Sequence, residues 1–291
     1  MTEIVEIADG VLVASPRAAA PGTSNSTLLL RYGSATVVDT MLVPSLATVL
    51  VAELARRRTT ARIVVNTHPH IDHVGGNAAF ADALIVADPT TAHSVARMAT
   101  QKSLFMRLYP EHADEFARME IVPPDGRTAG LMPRFDGCEV LFAGPAHTPG
   151  DLAVWVPDTR TLIAGDLCFN EVTPLALPGH ASIAGWIAAL DRLLALDPVA
   201  VVPGHGPAGS SAVLESTRAY LVAVRTVAAA AAQEGIDIAA AADDAAFAPF
   251  ADWSQGRRTE LNLRVAFAEL TGDTSVLPAG IPAASGGGRR P

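Results

Sequence analysis

The amino-acid sequence predicts an α/β fold in which two β-sheets pack together with helices outside. Three observations carry that prediction. The apolar fraction is 49% in 291 residues, enough for a large core. Short apolar runs are punctuated by Pro, Gly and Ser, and strand and helix runs occur in each half of the chain.

Taken in order, residues 10–13, 26–30 and 35–39 read as short strands of a meander. Leu46, Val49, Leu50 and Leu54 share a helical face, and Ile63-Val64-Val65-Asn66 reads as a buried strand. Residues 103–119 read as a helical segment carrying Leu104, Phe105, Met106, Leu108, Tyr109, Phe116 and Met119. So apolar a stretch beside Pro-rich loops suggests a lid over a site; core or dimer packing is the plainer alternative. In the second half, strands at 139–142, 153–156 and 161–164 lead to a helix on which Ile183, Trp186, Ile187, Leu190 and Leu194 share a face. A strand at 199–202 follows, and 211–234 and 260–270 have helical patterns. No clear sequence repeat relates the halves, and residues 1–282 are expected to form one domain. Residues 283–291, AASGGGRRP, have no apolar face to bury and read as a loose tail.

Composition excludes several function classes. The net charge of -9 would repel a phosphate backbone, and the run Arg56-Arg57-Arg58 does not offset it, so nucleic acid is not an expected partner. No apolar run approaches the ~18 residues of a membrane span. Two cysteines, Cys138 and Cys168, are too few for a disulfide framework, and the start MTEIVEIADGVLVAS lacks the pattern of a secretory signal. The expectation is a cytoplasmic protein.

The chemistry begins at Thr67-His68-Pro69-His70-Ile71-Asp72-His73. Four metal-ligand side chains directly after a strand would converge on one point. Imidazoles and carboxylates without a nearby thiolate suit zinc, iron or manganese in an open, catalytic site rather than a closed structural one. Later come His147 in Gly144-Pro145-Ala146-His147-Thr148-Pro149-Gly150-Asp151, Asp166 in Ala164-Gly165-Asp166, and His205 in Pro203-Gly204-His205-Gly206-Pro207. Each alone is an ordinary turn residue. With the first motif they account for five of the eight histidines and leave His93, His112 and His180 to surface or supporting roles.

These residues resemble the metallo-β-lactamase-fold superfamily, whose signature is H-x-H-x-D-H followed by separate His, Asp and His ligands. The resemblance implies a four-layer αββα sandwich with a two-metal cleft at the sheet edges. It maps His68, His70 and His147 onto one metal, Asp72, His73 and His205 onto a second, and Asp166 onto the bridging carboxylate. Asp39, ending Thr36-Val37-Val38-Asp39, matches the Asp that orients the ligand loop. Two divalent ions, expected to be Zn2+, are thereby implied, with Asp72 and Asp166 as the catalytic carboxylates. Within the superfamily, secreted β-lactamases carry export signals and usually lack the bridging Asp. Glyoxalase II-type enzymes usually place a Tyr after the last ligand, where this chain has Gly206-Pro207. Acyl-homoserine lactonases usually carry a Tyr where this chain has Phe169.

A narrower similarity is to the zinc-dependent thioesterase/cyclases of aromatic polyketide pathways. It rests on the His147 segment, Val154-Trp155-Val156-Pro157, Gly165-Asp166, Thr173-Pro174 and Glu260-Leu261-Asn262-Leu263-Arg264, and it departs at Pro21-Gly22-Thr23-Ser24-Asn25-Ser26. It implies an acyl thioester or ester substrate, free or carrier-protein-bound, with Phe105, Met106, Tyr109 and Phe169 on the substrate side. A lactonase or other small-molecule metallohydrolase, and a mononuclear-iron persulfide dioxygenase using His68, His70 and His147, are the alternatives.

Overall fold

The computed structural model describes residues 2–16, 20–125 and 134–278. The expected tail at 283–291 lies outside them. The first sheet contains β1 (Thr2–Ala8), β2 (Val11–Pro16), β3 (Ser26–Arg31), β4 (Ser34–Val38), β5 (Ala61–Val65) and β6 (Leu84–Val86), in that spatial order. The meander β1 to β4 is antiparallel, and β4, β5 and β6 are parallel. The second sheet contains β7 (Arg134–Phe135), β8 (Cys138–Phe142), β9 (Leu152–Val156), β10 (Thr161–Phe169) and β11 (Ala200–His205), ordered β11-β10-β9-β8-β7. Only its β10–β11 pair is parallel.

Alternation along the strands builds the layers. Val11, Val13, Leu29, Val38, Ile63 and Val65 face Leu152, Val154, Val156, Ile163 and Val202 across the space between the sheets. Their neighbours Leu12, Ala14, Leu28, Val37 and Val64 point the other way, onto Ala47, Leu50 and Leu54 of helix Pro44–Arg56. On the far side of the second sheet, Leu162, Ala164 and Val201 pack with helices Ile183–Leu194, Ala212–Glu234 and Arg258–Thr271. The result is the expected helix–sheet–sheet–helix sandwich. Among the described residues no helix is long and apolar enough to cross a membrane.

Some elements differ from expectation. Strand β1, with Val5 half-exposed at an edge, has too little apolar patterning to be seen in sequence, and the 35–39 strand stops at Val38 because Asp39 adopts φ +60°. The 103–119 stretch is not one helix. It breaks at Tyr109-Pro110 into Lys102–Leu108, a single turn at Pro110–His112, and Ala113–Arg118, since proline has no N–H to continue the helical ladder. Phe105, Phe116 and Met119 are buried with Leu42, Val43, Ile71 and Val74, so this stretch packs as core against the ligand loop.

Candidate metal centre

Parallel pairing places the C-terminal ends of β4, β5, β10 and β11 at one edge, and those ends carry the polar residues. Asp39 follows β4, the His68–His73 loop follows β5, Asp166 lies within β10, and His205 ends β11 opposite Phe169. His147 precedes β9. The two sheets are stitched together there by the Leu152 N–H donating to the Thr67 carbonyl at 2.8 Å.

All seven expected ligands converge. Asp166 is ringed by imidazoles, with Nε2 of His73 at 3.1 Å, of His147 and His205 at 3.3 Å each, and of His68 at 3.7 Å. His68, His70, His147 and Asp166 form one set whose ligand-type atoms lie within 4.8 Å of one another, and Asp72, His73 and His205 form a second. Nδ1 of His70 and Nε2 of His147 face each other at 2.9 Å. Nε2 of His205 lies 3.5 Å from Asp72 Oδ2.

Three of the rings, those of His68, His73 and His205, are aimed by a bond on their other side, as metal-ligating imidazoles usually are. Asp39 Oδ2 accepts from His73 Nδ1 at 2.8 Å, while the Thr67 N–H and hydroxyl donate to Asp39 Oδ1 and Oδ2 at 2.8 Å each. Thr67 Oγ1 also lies 2.9 Å from His68 Nδ1. His205 Nδ1 donates to the Thr23 carbonyl at 2.7 Å. The loop at 20–25 secures the second set further. Ser24 donates to the Asp72 carbonyl, and Asn25 Nδ2 donates to the carbonyls of Pro203 and Gly206 at 2.9 and 2.7 Å. This is the stretch in which the sequence departs from the cyclase pattern, and in the fold it positions His205 and Asp72.

Close approach accounts for a flanking glycine. A Cβ at Gly204 would sit 1.9 Å from Asp166 Oδ1. Trp186, buried on helix Ile183–Leu194, donates Nε1–H to the Leu167 carbonyl at 2.8 Å and sets its ring 4.9 Å from that of His147.

Protonation follows from these surroundings. Burial holds His68 and His147 well below the usual imidazole range and His70 down to about 4, leaving three neutral nitrogen donors. Burial also acts on His73 and His205, but Asp166, aided by Asp72 and, for His73, Asp39, outweighs it and holds both above the usual range. Burial works against the Asp166 carboxylate too, and His205, His73 and His68 together keep it well below the ordinary range.

The pull of one buried carboxylate on two imidazoles marks a point of negative potential that suits a divalent cation. His68 Nε2 and Asp166 Oδ1 are buried without a hydrogen-bond partner, which a ligand-set role explains. A nitrogen and oxygen donor set without thiolate fits zinc, iron or manganese.

Of the residues expected on the substrate side, Phe105 stacks at a tilt on Phe116 with ring centroids 5.6 Å apart, and Met106 packs against the same cluster. Tyr109 covers Gly22, and Phe169 is fully buried, parallel to the His205 ring at 5.3 Å. None of the four lines the cavity of about 720 Å³ that opens beside His205, whose wall includes Thr23, Asn170, Val172 and Arg258. His93 is exposed, His112 lies 4.0 Å from Glu115, and His180 stacks on His70 at 6.0 Å. Sequence reasoning gave no site role to Thr67, the 20–25 loop or Arg258. For Thr67, adjacency to His68 was the available signal.

The family model described as the metallo-beta-lactamase superfamily matches residues 19–205. The chain is 30% identical over 151 residues to 2,4-dinitroanisole O-demethylase subunit alpha of Nocardioides sp., covering 51% of this chain and 41% of that one. It is 32% identical over 155 residues to hydroxyacylglutathione hydrolase of Thermosynechococcus vestitus, covering 51% and 50%. A metallo-beta-lactamase type 2 of Bacteroides fragilis is 31% identical over 102 residues, covering 33% and 41%. The chain thus spans about half or less of the length of these curated relatives. A solved metallo-beta-lactamase from Pontibacter korlensis has the same fold, with a TM-score of 0.59 at 22% identity over 76% of this chain and 99% of that one.

Proposed function

The chain belongs to the metallo-β-lactamase superfamily, whose members are metal-dependent hydrolases, and on that footing we propose that it is a dinuclear-metal hydrolase of an acyl thioester or ester. The observation that carries the proposal is the pair of ligand sets meeting at Asp166. His68, His70 and His147 would hold one ion and Asp72, His73 and His205 the other, with Asp166 between them. A single ion would leave the second set redundant.

When bound, divalent ions of this kind supply Lewis acidity toward a carbonyl and acidify a water to near pKa ~7. The chain's own residues set the geometry for that chemistry. Asp39 and the Thr23 carbonyl fix His73 and His205 so that both Nε2 atoms face Asp166. Asp72 is the more open of the two site carboxylates, at 13% exposure against 5% for Asp166, and the oxygen it does not give to an ion would be the one suited to carry a proton between nucleophile and leaving group. Cavity walls of Val13 and Val172 suit an apolar acyl chain.

The thioester choice is supported by the relative named hydroxyacylglutathione hydrolase. The cyclase-like segments around His147, Trp155 and Thr173 extend it to a polyketide-type acyl group, for which hydrolysis and aldol ring closure use the same polarised carbonyl. The test is metal quantification on purified protein coupled to a panel of thioesters, lactones and β-lactams. Two ions per chain and fastest turnover on a thioester are expected. One iron per chain would point instead to the persulfide dioxygenase reading, and rapid turnover of a small lactone alone would reject the acyl-thioester assignment.

A further inference from the structure

Arg258 opens the helix Arg258–Thr271 and forms part of the wall of the cavity that also contains His205 and Thr23. A guanidinium has five N–H donors in a planar fork. Here Nη1 donates to the Thr173 carbonyl at 2.9 Å, and among the described residues no carboxylate lies within ion-pair distance of the group. Two neighbouring arginines are spent differently. Arg264 is paired with Glu260 at 2.6 Å and Arg218 with Asp191 at 2.5 Å. Arg258 is therefore a half-buried cation whose remaining donors have no recorded partner among the described residues, in the same cavity as a metal-ligand candidate.

The surroundings restrict what it can bind. Burial lowers the Arg258 pKa, and the carboxylates that act in the opposite direction are Asp166 and Asp72, both of which belong to the ligand sets. Glu171 and Asp252 stand on the exposed part of the cavity wall, and the whole chain carries a net charge of -9. A polyanion entering past that rim meets repulsion, whereas a single planar carboxylate is matched by the fork of one guanidinium.

Resting on the hydrolase reading above, we infer that Arg258 is a carboxylate-binding subsite, so that the substrate is an acyl compound bearing one free carboxylate away from the scissile carbonyl. The carboxylate docks on Arg258, the acyl carbonyl lies toward His205, and the chain between them runs along Val13 and Val172.

The experiment uses the metal-loaded full chain with two N-acetylcysteamine thioesters, one of glutaric acid and one of its monomethyl ester. The unsubstituted protein is expected to prefer the free carboxylate by about 10- to 100-fold in kcat/KM, the range for a hydrogen-bonded charged group. In R258Q that preference disappears, and in R258K it is partly retained. An unchanged preference in R258Q, or preference of the unsubstituted protein for the neutral ester, overturns the inference. Calorimetry with the monoanion glutaramate and its neutral diamide separates this outcome from failure of the hydrolase reading. If neither thioester is turned over, hydrolysis of this substrate class is wrong, while the subsite still requires glutaramate to bind at least about tenfold more weakly to R258Q. Should R258Q fail to fold, equal affinity of the unsubstituted protein for glutaramate and the diamide overturns the inference.

Discussion

Asp39 is a buried carboxylate that accepts three hydrogen bonds, two from Thr67 and one from His73. Asp39→Asn keeps its size but replaces one accepting oxygen with an NH2 donor, which meets donors already in place. We expect metal affinity to fall by about 10- to 100-fold, as for other residues that support ligands from behind; competition with a chromophoric chelator measures it, and unchanged affinity would show that Asp39 does not orient His73. A second buried carboxyl, Asp151, accepts from the Thr148 N–H and hydroxyl at 2.8 and 2.6 Å. Burial outweighs those bonds and raises its pKa from 3.8 to about 7. Between those values the folded state holds a proton that the unfolded state has released, so stability falls as pH rises from about 4 to about 7. Over that window the loss attributable to Asp151 is up to about 4 kcal/mol. Denaturant titrations across it should therefore show a steeper decline for the unsubstituted protein than for Asp151→Asn, and parallel curves would remove the Asp151 contribution.

Helix Arg258–Thr271 is the element that fixes the loop leaving β10. Asn262, fully buried, accepts from the Ala176 N–H at 2.8 Å and donates to the Pro174 carbonyl and the Tyr220 hydroxyl at 2.8 Å each. Glu269 accepts from Ser182 and from the Ile183 N–H at 2.6 and 2.9 Å, which ties the start of helix Ile183–Leu194 to the same helix. Asn262→Ala leaves a buried N–H and a carbonyl without partners. It should cost about 2–4 kcal/mol, on the scale of one to two unsatisfied buried groups, read as a lowered denaturation midpoint. Glu269 is a weaker tie, since the bonds it makes are partly exposed.

The whole molecule separates stability from chemistry. The apolar clusters between and outside the sheets contain most of the buried side chains, and the ligand loop touches them through Ile71 and Val74. Chelation, or His68→Ala, should therefore abolish turnover while leaving the far-UV circular dichroism spectrum of a folded α/β protein. Chelation should lower the unfolding temperature only by the amount that ligand linkage supplies. Collapse of the spectrum on metal removal would mean that the ions hold the sandwich together, as in a small zinc domain.

Sequence alone determined the layered α/β sandwich and picked out the first cluster of candidate ligands, because both are written in short-range patterns. Period-two strands, period-3.6 helices and four ligands packed into Thr67–His73 need no knowledge of distant residues. The family signature then joined His147, Asp166 and His205 to them, and the structure brings all seven together. Tertiary structure alone decided what lies between these points. The hydrogen bond from His205 to Thr23 spans 182 residues, and that from Asn25 to Pro203 spans 178; no local period records such pairings. Nor does sequence separate a pocket wall from a core. Phe105 and Phe169 carry the apolar character expected of substrate-side residues, yet the fold turns both inward. Arg258, to which the sequence attaches no role, is turned to a cavity beside the candidate metal ligands. Hydrophobicity decides that a side chain leaves water, but the packing of distant elements decides whether it faces the core or the site.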